Sequence, residues 1–214
     1  MEKKEVEEKK VVPVKINGDE GRVDDDPNRM DDDTIMDDIT VQNIVASVNL
    51  FTKIPLERVS TEIKNTEYDP EQFPGLVYRI RDPKISALLF SSGKVVVTGA
   101  KWRSDITLAV ENIIETIKQV DVNVTEVPDI KIQNIVASGD IHMTLNLNQL
   151  VFDLKYSEYE PEQFPGLVYK LPHTHITFLL FGTGKIVCTG GVKISEINQA
   201  VETLVNTLKH GEEK

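Results

Sequence analysis

Eight residues of this chain occur twice. Glu71 to Tyr78 reads E-Q-F-P-G-L-V-Y, and Glu162 to Tyr169 reads the same, an offset of 91 residues. That offset also carries Gln42-Asn43-Ile44-Val45-Ala46-Ser47 onto Gln133-Asn134-Ile135-Val136-Ala137-Ser138. It carries Gly93-Lys94 and Thr98-Gly99 onto Gly184-Lys185 and Thr189-Gly190. A constant offset from first motif to last means two copies of one unit, with no net insertion between the landmarks. Two copies are too few for a solenoid. The pattern fits two fused halves of one symmetric object, by analogy with a homodimer and its two-fold axis.

Each unit reads as strand, helix, four further strands, helix. Val41 to Leu50 is rich in β-branched residues and predicts a strand. Pro55 to Lys64 predicts a short helix, with Pro in its first turn and Leu56, Val59 and Ile63 on one face. Thr66 to Asp69, Leu76 to Arg81, Ile85 to Phe90 and Lys94 to Thr98 follow as strands, punctuated by Pro70 to Gly75, Asp82-Pro83 and Ser92-Gly93. Ser104 or Asp105 then caps a helix whose apolar stripe is Ile106, Ala109, Val110, Ile113, Ile114 and Ile117. The second unit repeats the plan with a strand over Ile132 to Ile141. Its first helix carries Leu147, Leu150 and Leu154. Its second helix spans Ser195 to Lys209, with Ile197, Ala200, Val201, Leu204 and Leu208 inward. The expected organisation is a tail over 1–38, units over 39–128 and 129–211, and a short end over 212–214.

The tail holds most of the net charge of −11. Residues 1–38 carry seven Lys/Arg against fourteen Asp/Glu, whereas 39–211 carry sixteen against nineteen. Asp24-Asp25-Asp26, Asp31-Asp32-Asp33 and Asp37-Asp38 are blocks of like charge of the kind that stay disordered. A calcium loop would need Gly at its sixth position and Glu at its twelfth, and neither is present. With Cys188 the only cysteine, no intrachain disulfide or Cys-based zinc site is available. No apolar run approaches the roughly 18 residues that span a bilayer, and the charged start lacks a signal-peptide pattern. A soluble cytoplasmic protein is expected.

Strand alternation supplies the functional clue. Alternate residues point to opposite faces. Two helices per unit can cover one face of the sheet. The other face still carries Val45, Leu88, Phe90 and Val96, and their repeats Val136, Leu179, Phe181 and Val187. An uncovered apolar face of that size is expected to be an interaction surface; the alternative is a second, buried sheet layer, for which too few elements remain.

Taken with Q-N-I-V-A-S in both units, the doubled Y-[DE]-P-E-Q-F-P-G-L and S-G-K-V-V-V-T-G-A-K, the chain from 39 to about 209 strongly resembles the TATA-box-binding protein family. The doubled E-Q-F-P-G resembles its archaeal branch. The resemblance implies an α+β pseudo-two-fold saddle: two tandem repeats forming a ten-stranded antiparallel sheet, with four helices on the convex face. It implies that the concave face lies in the minor groove of double-stranded TATA-box DNA. The matching positions imply Phe73, Phe90, Phe164 and Phe181 as wedges between base steps. Asn43, Asn134, Thr98 and Thr189 match the central hydrogen-bonding groups. Val45, Val96, Val136, Val187, Leu88 and Leu179 match an apolar floor that disfavours G·C pairs by burying the guanine amino group without an acceptor. Arg79, Lys94, Lys170 and Lys185, with Ser92 and Thr183, match phosphate-facing positions. Glu160, Glu162 and Gln163 fall in the loop that meets a TFIIB-type factor (TFB in archaea), and through it RNA polymerase.

The departures from the family matter too. Lys101, Arg81, Lys84 and Arg103 become Val192, Pro172, His175 and Ile194 in the second unit, which is the less basic half. A shallower salt dependence of DNA binding is expected. His173 and His175 share a face in a strand reading, but two ligands without a third do not make a metal site. The acidic stretch 24–38 could mimic phosphate over the basic rim or merely solubilise the chain.

Other classes are weaker. There is no Ser/His/Asp set, no H-E-x-x-H and no complete phosphate loop. Glu71 and Glu162 lie at opposite ends of a symmetric object and cannot converge as acid and base. No enzyme activity and no cofactor are expected. A diverged paralogue that acts mainly as a protein-interaction module, with weak DNA binding, is the alternative. Without DNA, the exposed face could support a homodimer.

Overall fold

The computed structural model describes the backbone of Lys15–Ile16 and residues 35–211. The strands are β1 (Lys15–Ile16), β2 (Ile39–Asn49), β3 (Thr66–Glu67), β4 (Leu76–Ile80), β5 (Ile85–Leu89), β6 (Lys94–Ala100), β7 (Asp129–Asp140), β8 (Ser157–Glu158), β9 (Leu167–Lys170), β10 (Thr177–Leu180) and β11 (Lys185–Gly191). The helices are α1 (Leu56–Glu62), α2 (Arg103–Lys118), α3 (Leu147–Asp153) and α4 (Ile194–His210).

Ten strands run in one antiparallel path, β3-β4-β5-β6-β2-β7-β11-β10-β9-β8. The order is palindromic about the β2–β7 seam, as two copies related by a two-fold axis require. At the seam Ile39 lies opposite Gly139 and Asn49 opposite Asp129. Gln42 Nε2 donates to Ser138 Oγ at 2.8 Å, and Gln133 Nε2 donates to Ser47 Oγ at 2.7 Å. These two bonds are exchanged by the 91-residue offset, so each repeat clamps the other with the same pair of residues.

One face of the sheet is sealed. Ile44, Ala46, Val48, Leu76, Ile85, Ala87, Leu89, Val95 and Val97 are buried, as are their second-repeat counterparts Ile135, Ala137, Leu167, Ile176, Phe178, Leu180, Ile186 and Cys188. Ile106, Ala109, Val110, Ile113 and Ile117 of α2 close over the first half, and Ile194, Ile197, Ala200, Val201 and Leu204 of α4 over the second. Ile114 and Leu208, expected inward, are only partly buried. Both lie on the flank of their stripes, where the helix surface turns away from the sheet.

Three local expectations need correction. Neither Ser104 nor Asp105 is the N-cap residue of α2, because the helix begins at Arg103 and Trp102 stands at that position. Asp105 instead reaches back from the third helical position and accepts from the Lys101 and Trp102 N–H groups at 3.1 and 3.0 Å. Glu196 does the same in α4, accepting from Val192 N–H at 2.9 Å. The carboxylates thus hold orphan donors ahead of the first turn. His173 and His175 do not lie in a strand. The chain turns between β9 and β10, with His173 at a positive φ of 59°. Among the described residues, no three metal-ligating side chains gather.

The third correction concerns the tail. Most of 1–38, and 212–214, lie outside the described residues, so the disorder expected for them does too. Lys15–Ile16, however, pairs in parallel with Asp129–Ile130 as β1. The register explains why there is room. β11 joins β7 only from Ile135 onward, which leaves the first residues of β7 with an open edge. No helix among the described residues is long and apolar enough to cross a membrane.

Candidate nucleic-acid interface

The face away from the helices carries the other half of each strand's alternation. Val45, Leu88, Val96 and Thr98 of the first repeat, and Val136, Leu179, Val187 and Thr189 of the second, are all partly exposed there. Their registers align them in rows: Leu88 is opposite Val96, and Leu179 opposite Val187. Val77 and Val168 extend the rows outward, opposite Leu88 and Leu179. The sequence reading missed this pair. The signal was available, since Val77 alternates in phase with Arg79.

Phe73 and Phe90 meet edge to face with centroids 6.0 Å apart, and Phe164 and Phe181 repeat this at 5.9 Å. Phe73 is 44 % exposed and Phe164 40 %. None of the four is tucked under a helix. Phe73 is held by its N–H bond to Asp69 O at 2.9 Å, and Phe164 by the equivalent bond to Glu160 O at 3.0 Å. The glycine of F-P-G makes the seat. A Cβ on Gly75 would stand 2.6 Å from a Phe73 ring carbon and 3.1 Å from one of Phe90, and Gly166 repeats this at 2.7 and 3.1 Å. Only a bare Cα lets both rings rest there.

The central asparagines have a fixed polarity. Asn43 Oδ1 accepts from Gly99 N–H at 2.7 Å, and Asn134 Oδ1 from Gly190 N–H at 2.8 Å. Each Nδ2 lies within bonding distance of a threonine hydroxyl, Thr98 at 3.3 Å and Thr189 at 3.1 Å. With each carbonyl tied to a backbone donor, the amide nitrogen is left beside a threonine hydroxyl, on the strand face that also carries Val45 or Val136. The glycines are required: Gly99 and Gly190 sit at φ of 100° and 105°, where the strand registers shift. Sequence alone marked Thr-Gly as a repeat landmark but gave no reason for it.

The rims are less uniform than the repeat implies. Lys94, Lys170, Lys185, Ser92 and Thr183 are exposed at strand ends and turns. Arg79 is exposed as well, but its Nη2 is ion-paired with Glu67 Oε2 at 2.8 Å. At the second-repeat end of the trough, Asp38 and Asp140 join Thr183, Lys185 and Phe181 around a groove of about 880 Å³. In the turn before Phe164, Gln163 Nε2 donates to the Glu160 carboxylate, as Gln72 does to Asp69. Glu160 and Gln163 therefore shape the loop, while Glu162 beside them is exposed.

A pair of repeats sharing one sheet, helix-backed on one side and apolar and uncovered on the other, defines a saddle-like platform protein. The family model described as transcription factor TFIID, or TATA-binding protein, matches residues 38–120 and again 129–210. The chain belongs to the TATA-binding protein family, and a role in transcription follows from that membership. It is 46 % identical over 173 residues to a TATA-box-binding protein of Archaeoglobus fulgidus, covering 80 % of this chain and 94 % of that protein. It is 48 % identical over 165 residues to one of Thermoplasma volcanium, covering 76 % and 90 %. The solved Methanococcus jannaschii TBP superposes with a TM-score of 0.76 at 42 % identity, covering 80 % of this chain and 98 % of that one.

Proposed function

We propose that this chain is a transcription initiation factor that binds the minor groove of TATA-box DNA, bends it, and presents the complex to a TFIIB-type factor and, through it, RNA polymerase. The observation that carries the reading is the pair of locked amides at the centre of a bare apolar trough. A·T pairs offer only acceptors in the minor groove, adenine N3 and thymine O2. Asn43 and Asn134 face the trough as donors because Gly99 and Gly190 hold their carbonyls. Val45, Val96, Val136 and Val187 surround them with surface that leaves a guanine amino group without an acceptor. The two ring pairs stand at opposite ends of the trough, where inserted rings unstack base steps and open the groove against the sheet. Lys94, Lys170 and Lys185 lie where phosphates of a duplex seated there would pass.

A gel shift tests this. An A·T-rich duplex should be retained, and a duplex with G·C at the two central steps should lose about tenfold or more in affinity. Adding a purified archaeal TFB should give a slower complex. Equal binding to both duplexes would refute minor-groove selection.

A second reading, a paralogue that mainly binds proteins, draws on the carboxylates at the rim. Asp140 stands opposite Lys185 where the first repeat has Asn49 opposite Lys94. If Asp140 only tunes DNA binding, Asp140→Asn raises affinity most at low salt. If the paralogue reading holds, neither parent nor variant selects A·T-rich duplex.

A further inference from the structure

The ends of the sheet are related by the same offset as the repeats, so a contrast between them is written in the side chains. The terminal strands are β3 and β8. At the β3 end, α1 and the turn after it present Thr61 and Asn65, and two of the acids are neutralised within the chain. Glu62 is bonded by Arg58 Nε at 2.6 Å, and Glu67 by Arg79 Nη2 at 2.8 Å. At the β8 end the equivalent positions are Phe152 and Tyr156. The equivalents of the two arginines are Gln149 and Lys170, and Gln149 Nε2 donates to Asp153 at 3.1 Å as a neutral partner. Among the described residues, no Lys or Arg is ion-paired with Glu158, whose equivalent Glu67 is paired; Glu160 and Glu162, like Asp69 and Glu71, have no such partner.

Phe152 is 84 % exposed and Tyr156 52 %. Their outward aim is set by the helix register: Leu147 and Leu154 are buried and hold α3 and its C-terminus against the core. Lys155 Nζ lies 5.8 Å from the Tyr156 ring centroid. Rigidly mounted aromatics ringed by charge match the anatomy of a protein–protein hot spot, where an aromatic anchor fills a pocket and a polar rim excludes water.

We infer that α3 and Tyr156 form one docking surface with the loop from Tyr159 to Gln163, and that Phe152 is its apolar anchor. The occupant is a protein face with an apolar pocket ringed by Lys and Arg. Charge excludes the other occupants. A duplex would bring phosphates against Asp153, Glu158 and Glu162. A second copy docked isologously would set those carboxylates against themselves. The chain's own residues 1–38 carry a balance of −7, the wrong sign. The inference rests on the reading above that this loop meets a TFIIB-type factor, and it extends that contact onto the helix side of the sheet.

The test replaces the aromatics by their first-repeat counterparts, Phe152→Thr with Tyr156→Asn, in the full chain. A separate variant carries Glu162→Lys. Each is assayed for binding A·T-rich duplex and for recruiting purified TFB to that complex. The aromatic pair should leave duplex affinity and Tm unchanged and weaken recruitment by about thirtyfold, the loss typical of a hot-spot anchor. Recruitment within about threefold of the parent, a change too small for a hot spot, overturns the inference. If Glu162→Lys alone weakens recruitment, the inference falls and the partner reading stands. If neither variant weakens it, both fall. Loss with the aromatic pair alone supports the inference and moves the centre of the dock onto α3.

Discussion

Asn134 shows how little of a side chain's role its identity conveys. An amide can present either a donor or an acceptor. Gly190 N–H decides the matter by claiming the oxygen at 2.8 Å. Asn134→Asp keeps that bond and removes the donor, so the fold should hold while affinity for an A·T-rich duplex falls about tenfold or more, because a carboxylate then faces base acceptors. Gel shift and thermal melting together check both halves of the statement. Arg79 poses the converse problem. Sequence placed it on the phosphate rim, yet in the free protein Glu67 already holds it. Glu67→Gln should therefore raise duplex affinity at low salt and steepen the log–log salt slope by about one unit, the increment of one added phosphate contact. Cys188 gives a third outcome. Burial pushes its thiol up to about 12, so the nucleophilic thiolate is disfavoured throughout the ordinary pH range. The sign is that of an acid whose folded pKa is raised: stability is full below the unfolded value near 9 and is lost as pH climbs toward 12. Iodoacetamide should leave the native protein unlabelled and label it on unfolding.

At the level of elements, strands and faces were legible because alternation is a local property of the chain. The phase of Leu88, Phe90 and Val96 against Leu89, Val95 and Val97 sorted trough from core without any tertiary information. What stayed illegible depends on groups meeting across the sequence. The reach of Asp105 back to Trp102, the turn at His173, and the grip of Gly99 on Asn43, 56 residues away, leave no periodic trace. The open edge of β7 that receives β1 was equally hidden, since it arises from where β11 stops. The F-P-G turns lie between these cases: the repeat flagged them, but only the Cβ distances explain the glycine. Gly166→Ala should displace the Phe164 ring while leaving the strands intact. In a duplex labelled at both ends for energy transfer, this should reduce the bend at one end of the trough. The bend should be preserved if the ring seat has no role.

For the molecule as a whole, charge and symmetry pull in different directions. Four cations, Arg79, Lys94, Lys170 and Lys185, flank the trough, and one of them is already paired. Phosphate contacts by these four alone would give a log–log salt slope of about −4 or shallower. Titration of duplex binding from low to high salt checks this, and a slope as steep as about −6 would require phosphate contacts beyond those four. The two ends are alike in backbone and unlike in side chains. Arg58 and Arg79 close off Glu62 and Glu67 at one end, while Phe152, Tyr156 and the unpaired Glu158 remain on offer at the other. On the proposed function, a fold that could seat on DNA in two directions thus carries a label on one of its ends.

The reciprocal Gln42–Ser138 and Gln133–Ser47 bonds have a further consequence. They belong to the longest strand pair among the described residues, and each repeat supplies one partner of every contact along it. Severed between 121 and 128, the polypeptide would become two fragments, each keeping its own pair of helices and showing one raw edge. Those edges fit one another in a single register. Two separately expressed halves should find each other and reconstitute the parent, which makes this chain a natural candidate for a split reporter.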